Sequence, residues 1–529
     1  MVPFAADGTT ALAERYPLTI LSDFDDDGTS RRKRIHTHST SRPSLWSAAR
    51  FSHANAEESA PATGESTIDV LRDEGRSIHQ QDYDRLLFSA PVRRLADKTQ
   101  VWPMDANDGV RSRLTHSHEV ANLAKSIGTR VASAPEGSPF GDADIHGVIQ
   151  PILSSIGLAH DLGNPPFGHQ GEVAISQWFK RRKDWIFDRA AKGGDKVAFP
   201  VAPSLRTEFS DFDGNPQTLR ILTRLQTSHR SVGLDLTAAT LAGVLKYPVH
   251  ADSRDKDKAC IKKAGYFESE REIVAWVRRE TGLQEGQRHP LTWIMEACDD
   301  IAYSVLDVDD LLKKAIISPD DVLVILKHTK FVSGLPCVVK LEKKFNEINR
   351  SDRRAEIRRD IKEQYVRSYL IEALINDASK TYIAKADAIN DFTHDVPLME
   401  KNPLCDTLKE IAQKYGFAHT EVLRAEAIGD AAIDGLMTAF WTAIQNRKKL
   451  HDLMSTRLDA RDRYVFSLIS PNYLEAACHE ATAKANADSE AVGRYHELRL
   501  LTDMISGMTD GFAINTWQKL KELPDVGRP

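Results

Sequence analysis

Apolar residues recur at three- and four-residue spacing along most of the chain from about residue 82 onward. The spacing is clearest in the segments LTHSHEVANLAKSIGTRVA, QPILSSIGLAHDLG, EVAISQWFKRR, QTLRILTRLQ, LTAATLAGVLKY and LTWIMEACDDIAYSVLDVDDLLKKA. This is the period of an amphipathic α-helix. Strand-like alternation is scarce and no βαβ rhythm appears, so the sequence predicts a mainly α fold.

Breaks in this pattern suggest how the chain is divided. We expect a partly mobile N-terminal extension over 1–80, a helical core over 81–335 and a C-terminal helical region over 336–529. Polar, breaker-rich stretches near 181–216 and 250–268 interrupt the core, and we interpret them as insertions. The length allows about three domain-sized units, and one large helical domain with insertions fits it equally well.

The segment from about 22 to 66 is rich in Ser, Thr, Asp and Arg and has few periodic apolar positions. This composition predicts a mobile or late-ordering stretch. The basic run from Arg31 to Arg34 could contact phosphates or a targeting receptor. A solvated run of charge beside an acidic one is the interpretation we favour.

Composition and charge narrow the class of protein. The formal net charge of −6 argues against a generally cationic nucleic-acid-binding surface but leaves a local basic groove open. Five widely spaced cysteines without a CxxC pair are typical of a reducing compartment and exclude a thiolate zinc site as the main organiser. No apolar run approaches the roughly 18 residues that span a membrane, and the first residues lack a signal-peptide pattern. We therefore expect a cytoplasmic protein.

The stretch HDLGNPPFGHQGE, from His160 to Glu172, carries the first candidate chemistry. His160 lies four residues after Ile156 and eight after Ile152, so a helix would place it on that apolar stripe. Alone it would more simply be a hydrogen-bonded core histidine. A buried Asp161 beside it favours a metal site, because an unpaired carboxylate is costly and a cation removes that cost.

His116 is a candidate for a further metal ligand. Val120, Leu123 and Ile127 follow it at helical spacing, so its side chain is predicted to face inward. His118 is turned well away from this stripe and is expected at the surface.

An acidic ligand is expected on the helix that contains MEACDDIAYSVLDVDD. Asp299 shares its edge with apolar residues, whereas Asp300 is rotated by about 100° and is better placed as a supporting or surface group. Tyr303 and Asp307 follow Asp299 at four and eight residues and would form one stripe with it. Two His nitrogens and two Asp oxygens suit Mn, Fe, Mg or Zn.

The order H…HD…D on helices resembles the HD superfamily of metal-dependent phosphohydrolases. Six longer strings resemble, in the same order, the deoxyguanosine triphosphate triphosphohydrolases (dGTPases), over roughly residues 85–315. The strings are RRLADKTQVWP, RSRLTHSHEV, AHDLGNPPFGHQGE, FDGNPQTLRILTRL, GLDLTAATLAGVLKYP and EACDDIAYSVLDVDD. The resemblance implies an HD-domain helical core in 81–335, with a C-terminal region that completes the active site and makes oligomer contacts.

The resemblance also implies a reaction, in which a dNTP, dGTP above all, and water give a deoxynucleoside and triphosphate. The metal ligands would be His116, His160, Asp161 and Asp299. The catalytic pair would be His169 and Glu172, with the acid orienting the imidazole and raising its basicity. The alternative to this catalytic interpretation is that the two residues stand at the N-terminus of a helix and satisfy its free backbone amides.

Substrate contacts follow from the same match. The positions implied are Gln100 and Asp307 at the sugar 3′-hydroxyl, Arg113, Lys246 and Tyr247 at the phosphates, and Tyr303 against the sugar where a 2′-hydroxyl would sit. Many relatives have His where this chain has Asn164, and the role of that residue is left open.

The resemblance further suggests one divalent metal per site, Mn or Mg ahead of Fe or Zn. It suggests a homo-oligomer, a hexamer in related enzymes, with a nucleotide or single-stranded DNA as a possible effector. Two alternatives remain open. One is a different HD phosphohydrolase that acts on monophosphates or cyclic nucleotides, and the other is a nucleic-acid-binding regulatory protein with an inert HD core.

Overall fold

The computed structural model describes residues 43–54, 75–102, 109–226, 232–450, 452–484 and 493–523. These residues belong to one unit, Pro43–Pro529. The basic run from Arg31 to Arg34 and most of the segment predicted to be mobile lie outside the described residues. The predicted division into three regions stays a prediction.

The prediction of a mainly α fold is confirmed. The α-helices are α1 Phe51–Ala54, α2 Ile78–Leu87, α3 Ala90–Arg94, α4 Arg113–Ala132, α5 Gln150–Ala159, α6 Gly168–Lys180, α7 Thr207–Ser210, α8 Gly214–Thr223, α9 Ala238–Val244, α10 Arg271–Thr281, α11 Pro290–Ile301, α12 Asp307–Lys313, α13 Pro319–His328, α14 Pro336–Asn349, α15 Ala355–Ala384, α16 Ala386–Asn390, α17 Pro403–Ile411, α18 Thr420–Gln445, α19 Ala460–Ser467, α20 Pro471–Lys484, α21 Arg494–Ser506 and α22 Asp510–Glu522. Short π-helical turns lie at Ile145–Ile149, Ala302–Leu306 and Ala412–Phe417. Within the described residues, β structure is limited to isolated bridges.

Two hydrophobic cores hold these helices together. The first core contains the apolar faces of α4, α5, α9, α10, α11, α12 and α15. The second core contains those of α6, α18, α21 and α22, together with Phe167 from the loop before α6. The segment from His160 to Phe167 therefore leaves the first core and enters the second.

A glycine sets the distance between α4 and α5. A Cβ atom at Gly157 would lie 2.7 Å from the Cα atom of Ala121, so only glycine allows the two helices to approach this closely. Gly157 stands one turn before His160, and Ala121 stands five residues after His116. The close approach therefore places the two candidate histidines side by side.

Residues 43–54 pack against the first core, although they fall within the stretch from 22 to 66 predicted to be mobile or late-ordering. Arg50 forms a buried ion pair with Asp82 at 2.8 Å, and the hydroxyl of Ser52 donates a hydrogen bond to Asp235 at 2.7 Å. Phe51 is buried in the first core. A few anchoring residues, too short a run to show periodicity, make these contacts, and the prediction for the whole stretch stays a prediction.

The two predicted insertions contain only short helical turns, yet both supply buried residues. Ile186, Phe187 and Phe209 lie in the second core, and the Glu208 carboxylate accepts a hydrogen bond from Arg499 at 2.6 Å. Tyr266 lies in the first core. Both segments are therefore packed parts of the fold.

Within the described ranges, no helix combines the length and the apolar character needed to cross a membrane. Four of the five cysteines are buried, and none forms a disulfide. The cytoplasmic location stays a prediction.

Candidate active site

Three elements of the first core bring His116, His160 and Asp299 together. His116 lies in the first turn of α4, His160 directly follows α5, and Asp299 lies in the last turn of α11. The Asp299 Oδ1 atom is 3.3 Å from His116 Nε2 and 3.5 Å from His160 Nε2. One ligand atom from each residue falls within 4.8 Å of the others, so this group could hold a metal ion.

The two imidazoles present ring nitrogens that the protein does not otherwise use. His160 Nδ1 lies 2.7 Å from the Gly157 carbonyl oxygen, to which a proton on Nδ1 donates, so Nε2 is the nitrogen that faces Asp299. The Nε2 atoms of His116 and His160 are buried and have no hydrogen-bond partner of normal geometry among the described residues. Buried polar atoms are rarely left in this state, and a bound cation would satisfy both.

Asp161 lies at the edge of this group. Its carboxylate is 3.5 Å from His160 Nε2 and 4.0 Å from His116 Nε2. Both oxygens also accept strong hydrogen bonds, Oδ2 from Arg113 at 2.6 Å and Oδ1 from the Asn164 amide at 2.7 Å. The role of Asp161 as a fourth ligand stays a prediction. Asn164, whose role the sequence left open, orients that carboxylate.

The charges in this group are coupled. Burial lowers the pKa of His116. Burial also opposes the charged form of His160, but the carboxylates of Asp161 and Asp299 outweigh it and raise the pKa of His160 to about 9. Burial would raise the pKa of Asp299, yet the two histidines close to its Oδ1 atom hold it well below its usual range. The group therefore shares a proton that a metal ion would displace.

His169 and Glu172 form the predicted pair on the first turns of α6. His169 Nδ1 is 2.9 Å from Glu172 Oε2, and the other oxygen of Glu172 accepts a hydrogen bond from the Gly214 backbone N–H at 2.6 Å. The hydrogen bond that His169 donates to Glu172 raises the pKa of His169, whose side chain is 83% exposed. Glu172 therefore orients His169 and also binds a free amide at the start of α8, so the two interpretations of this pair are compatible.

A cavity of about 630 Å³ connects these groups. Its lining includes six of the residues predicted for the site, namely Gln100, Arg113, Asp161, His169, Asp299 and Tyr303. Gln413, Phe417, Val422 and Glu426 close the opposite side, and the ring of Phe417 stacks on Tyr303 with centroids 5.6 Å apart. The C-terminal half of the chain therefore completes the cavity.

Lys246 and Tyr247 are placed differently. The ammonium group of Lys246 is 3.6 Å from Asp299 Oδ2 and 3.7 Å from Glu296 Oε1. Tyr247 is buried, with the Arg288 guanidinium 5.8 Å from its ring centroid, and does not line the cavity. The structure thus brings Lys246 to the metal-binding group but not Tyr247 to the cavity wall.

The stripe predicted to run from Asp299 through Tyr303 to Asp307 is interrupted. A π-helical turn at Ala302–Leu306 separates α11 from α12. Such a turn takes an additional residue and rotates the next residues relative to a continuous α-helix. Tyr303 lines the cavity, whereas Asp307 is not among the residues that line it and forms a 2.6 Å ion pair with Arg111. Arg111 was not predicted as a site residue, although it stands two positions before Arg113.

Lys98 and Asp510 were also missed. The buried Lys98 ammonium donates hydrogen bonds to the carbonyl oxygens of Asn164 at 2.5 Å and Ser506 at 2.8 Å, and burial lowers its pKa to about 7. Asp510, at the start of α22, accepts from the backbone N–H groups of Thr99 at 3.0 Å and Phe167 at 2.9 Å. The contacts of Lys98 with Ser506 and of Asp510 with Thr99 join positions about 400 residues apart, for which local sequence patterns carry no signal.

Comparison with known proteins places the chain in a family, although no family model matches it. The chain is 33% identical over 461 residues to deoxyguanosinetriphosphate triphosphohydrolase-like proteins of Listeria innocua and Listeria monocytogenes. These alignments cover 85% of this chain and 94% of each relative. It is 30% identical over 472 residues to a probable deoxyguanosinetriphosphate triphosphohydrolase of Pseudomonas aeruginosa, covering 84% of this chain and 93% of that relative.

The mainly α fold and the His-His-Asp group fit the HD-domain class of hydrolases. With relatives of this identity along most of its length, the chain belongs to the deoxyguanosinetriphosphate triphosphohydrolase family.

Proposed function

We propose that the protein hydrolyses deoxynucleoside triphosphates, dGTP in preference, to deoxynucleoside and intact triphosphate through attack of water on the α-phosphorus. One observation supports this above all. The group formed by His116, His160 and Asp299 lies at the same cavity as the His169–Glu172 pair. A site for a metal ion and a site for proton transfer are the two elements that such a hydrolysis needs.

His116, His160, Asp161 and Asp299 would hold one divalent ion, manganese or magnesium ahead of iron or zinc. Such an ion, when bound, activates water and offsets the charge on a phosphoryl group. Arg113 lines the cavity, and its guanidinium suits the oxygens of a polyphosphate. Lys246, beside Asp299, would add positive charge close to the phosphates. Tyr247 would be a further contact at the phosphates.

His169 would donate a proton to the 5′-oxygen of the departing nucleoside. Its exposure toward the cavity leaves Nε2 available, while Glu172 holds Nδ1. The raised pKa of His169 increases its protonated fraction near neutral pH. As a general acid it would lose activity as the pH rises through that pKa.

The sugar would lie between Gln100, Tyr303 and Asp307. Tyr303, held by its stack on Phe417, would occupy the space of a 2′-hydroxyl and select deoxyribose by exclusion. Gln100 and Asp307 would contact the 3′-hydroxyl.

The test is to incubate the protein with each dNTP and with Mn²⁺ or Mg²⁺ and to identify the products. We expect deoxynucleoside and tripolyphosphate, fastest with dGTP. His169→Ala should lower kcat/KM by about 10²–10⁴-fold, the usual contribution of a positioned acid. His118→Ala, an exposed histidine on α4, is the matched control and should leave the rate unchanged.

Release of pyrophosphate or orthophosphate would refute the proposal. Turnover of nucleoside monophosphates or cyclic nucleotides alone would instead favour another HD phosphohydrolase. Salt-sensitive DNA binding without turnover of any dNTP, at verified metal occupancy, would favour a regulatory protein with an inert core. A homo-oligomer, a hexamer by family resemblance, and a nucleotide or single-stranded DNA effector stay proposals that rest on the family.

A further inference from the structure

Two buried oxygen atoms near the cavity lack a hydrogen-bond partner among the described residues. They are Oε1 of Gln100, which lines the cavity, and Oδ2 of Asp307, one turn beyond Tyr303. The Asp307 side chain is 1% exposed. An acceptor left unsatisfied in such a place is costly, so these two oxygens indicate a hydrogen-bond donor that the ligand supplies.

Arg111 determines which oxygen of Asp307 is left available. Its Nη2 atom donates to Asp307 Oδ1 at 2.6 Å and to Asp310 Oδ2 at 3.0 Å, and its Nε donates to the same Asp310 oxygen at 3.1 Å. Nη1 also reaches Glu119 at 3.4 Å. Contacts with three carboxylates thus fix the guanidinium, which binds Oδ1 of Asp307. The other oxygen of Asp307, Oδ2, receives no hydrogen bond from it.

Arg111 also controls the charge of Asp307. Burial raises the pKa of Asp307 to about 7, with Asp310 and Asp299 acting in the same direction, and the Arg111 guanidinium is the group that opposes this. Without that guanidinium the pKa of Asp307 would rise further and the neutral form would predominate. A neutral carboxyl loses acceptor capacity, so the guanidinium favours the charged, accepting form of Asp307.

We propose that Arg111 is a positioning residue for recognition of the sugar 3′-hydroxyl, because it fixes Asp307 so that Oδ2 accepts that hydroxyl's hydrogen bond. This inference rests on the proposed function. In a dNTP the 3′-hydroxyl is the one hydrogen-bond donor on the sugar, and its single proton matches the need of Asp307 Oδ2. The amide of Gln100 can turn so that its NH2 group donates to the oxygen of the same hydroxyl. Arg111 itself touches no substrate and acts through Asp307.

The experiment compares dGTP with its 2′,3′-dideoxy analogue, which lacks only this hydroxyl. The measured quantity is the ratio of the two kcat/KM values. For Arg111→Lys, which keeps the charge but loses the multiple contacts, we expect the ratio to fall by about tenfold or more, since a hydrogen bond to a charged group is of that size. Asp307→Asn should reduce the same ratio. Arg111→Lys in the Asp307→Asn background should reduce it no further.

Arg367→Lys is the matched control. Arg367, on α15, pairs at 3.0 Å with Asp309, which lies on α12 like Asp307. Neither residue of this pair lines the cavity, and the replacement should leave the ratio at the wild-type value. If Arg111→Lys fails to fold by circular dichroism, Asp310→Asn takes its place. That change removes the carboxylate that fixes Nε, and we expect a smaller fall in the ratio.

The outcomes separate the two proposals. If the wild-type protein hydrolyses no dNTP, the proposed function and this inference both fail. If the wild type prefers dGTP over the dideoxy analogue but a folded Arg111→Lys or Asp310→Asn variant keeps the wild-type ratio, the function stands and the inference is overturned. A general loss of activity on both substrates with an unchanged ratio would likewise assign Arg111 a purely structural role.

Discussion

Two buried polar clusters in this protein differ in how many of their polar atoms have a hydrogen-bond partner within the protein. In the first, His116, His160 and Asp299 leave both imidazole Nε2 atoms without a hydrogen-bond partner of normal geometry among the described residues. In the second, Arg220 binds both oxygens of Asp503 at 2.8 and 2.9 Å and one oxygen of Glu270 at 3.0 Å, with every side chain fully buried.

This difference distinguishes a buried polar cluster that stabilises the fold from one that is arranged to bind a ligand. The Arg220 cluster links α8 with α21 and with the turn before α10, and its side chains find their hydrogen-bond partners within the protein. The group formed by His116, His160 and Asp299 is also buried, but its Nε2 atoms find no such partner among the described residues, and a metal ion could satisfy them. Burial alone would have marked both clusters as equally important, whereas hydrogen-bond completeness distinguishes them.

The largest expected effect comes from removing a metal ligand. His160→Ala should lower kcat/KM by about 10³-fold or more, since a bound metal contributes several kcal/mol to transition-state stabilisation. The free energy of unfolding should change by only about 1 kcal/mol. Steady-state kinetics and urea unfolding measure the two quantities, with His118→Ala as control. A loss of stability comparable to that of a structural ion pair would erase the distinction between the clusters.

The next effect is on stability. Asp503→Ala should lower the free energy of unfolding by about 3–5 kcal/mol, because it leaves the Arg220 guanidinium buried without its main partner. The control is Asp434→Ala, which removes the exposed ion pair between Arg181 and Asp434 and should cost about 1 kcal/mol or less. Urea unfolding of both variants provides the comparison. Equal losses would mean that burial does not decide the value of these pairs.

The smallest effect concerns the group that supports the metal site. Asn164→Ala removes the hydrogen bond to Asp161 Oδ1, and we expect the affinity for Mn²⁺ to fall by about 10–100-fold, the usual cost of losing such a partner. Calorimetric titration measures this without turnover. Asn390→Ala, at an exposed asparagine, is the control. An unchanged affinity would show that Arg113 alone is sufficient to orient Asp161.

Much of the site could be predicted because it depends on local periodicity. The apolar stripes around His116, His160 and Asp299 each show which way one helix faces, and the structure brings all three together. The three-residue spacing of His169 and Glu172 gave their contact in the same way. In these cases the information lies within one or two helical turns.

The rest depends on contacts that periodicity does not record. Arg111 reaches Asp307 across 196 positions of the chain, and Lys98 reaches Ser506 across 408. The π-helical turn before Asp307 changes the helical phase without any proline or glycine inside it to mark the site. Residues 43–54 are fixed by individual contacts such as that between Arg50 and Asp82, which a composition-based expectation of mobility overlooks.

The contacts of Lys98 and Asp510 have a consequence for the order of events during synthesis. The loop that contains Asn164 and Phe167 is held by Lys98, which also binds Ser506, and by Asp510. The ribosome adds Ser506 and Asp510 more than 300 residues after this loop. A growing chain can therefore pair α4 with α5 and bring its histidines together well before the contacts that hold the loop can form.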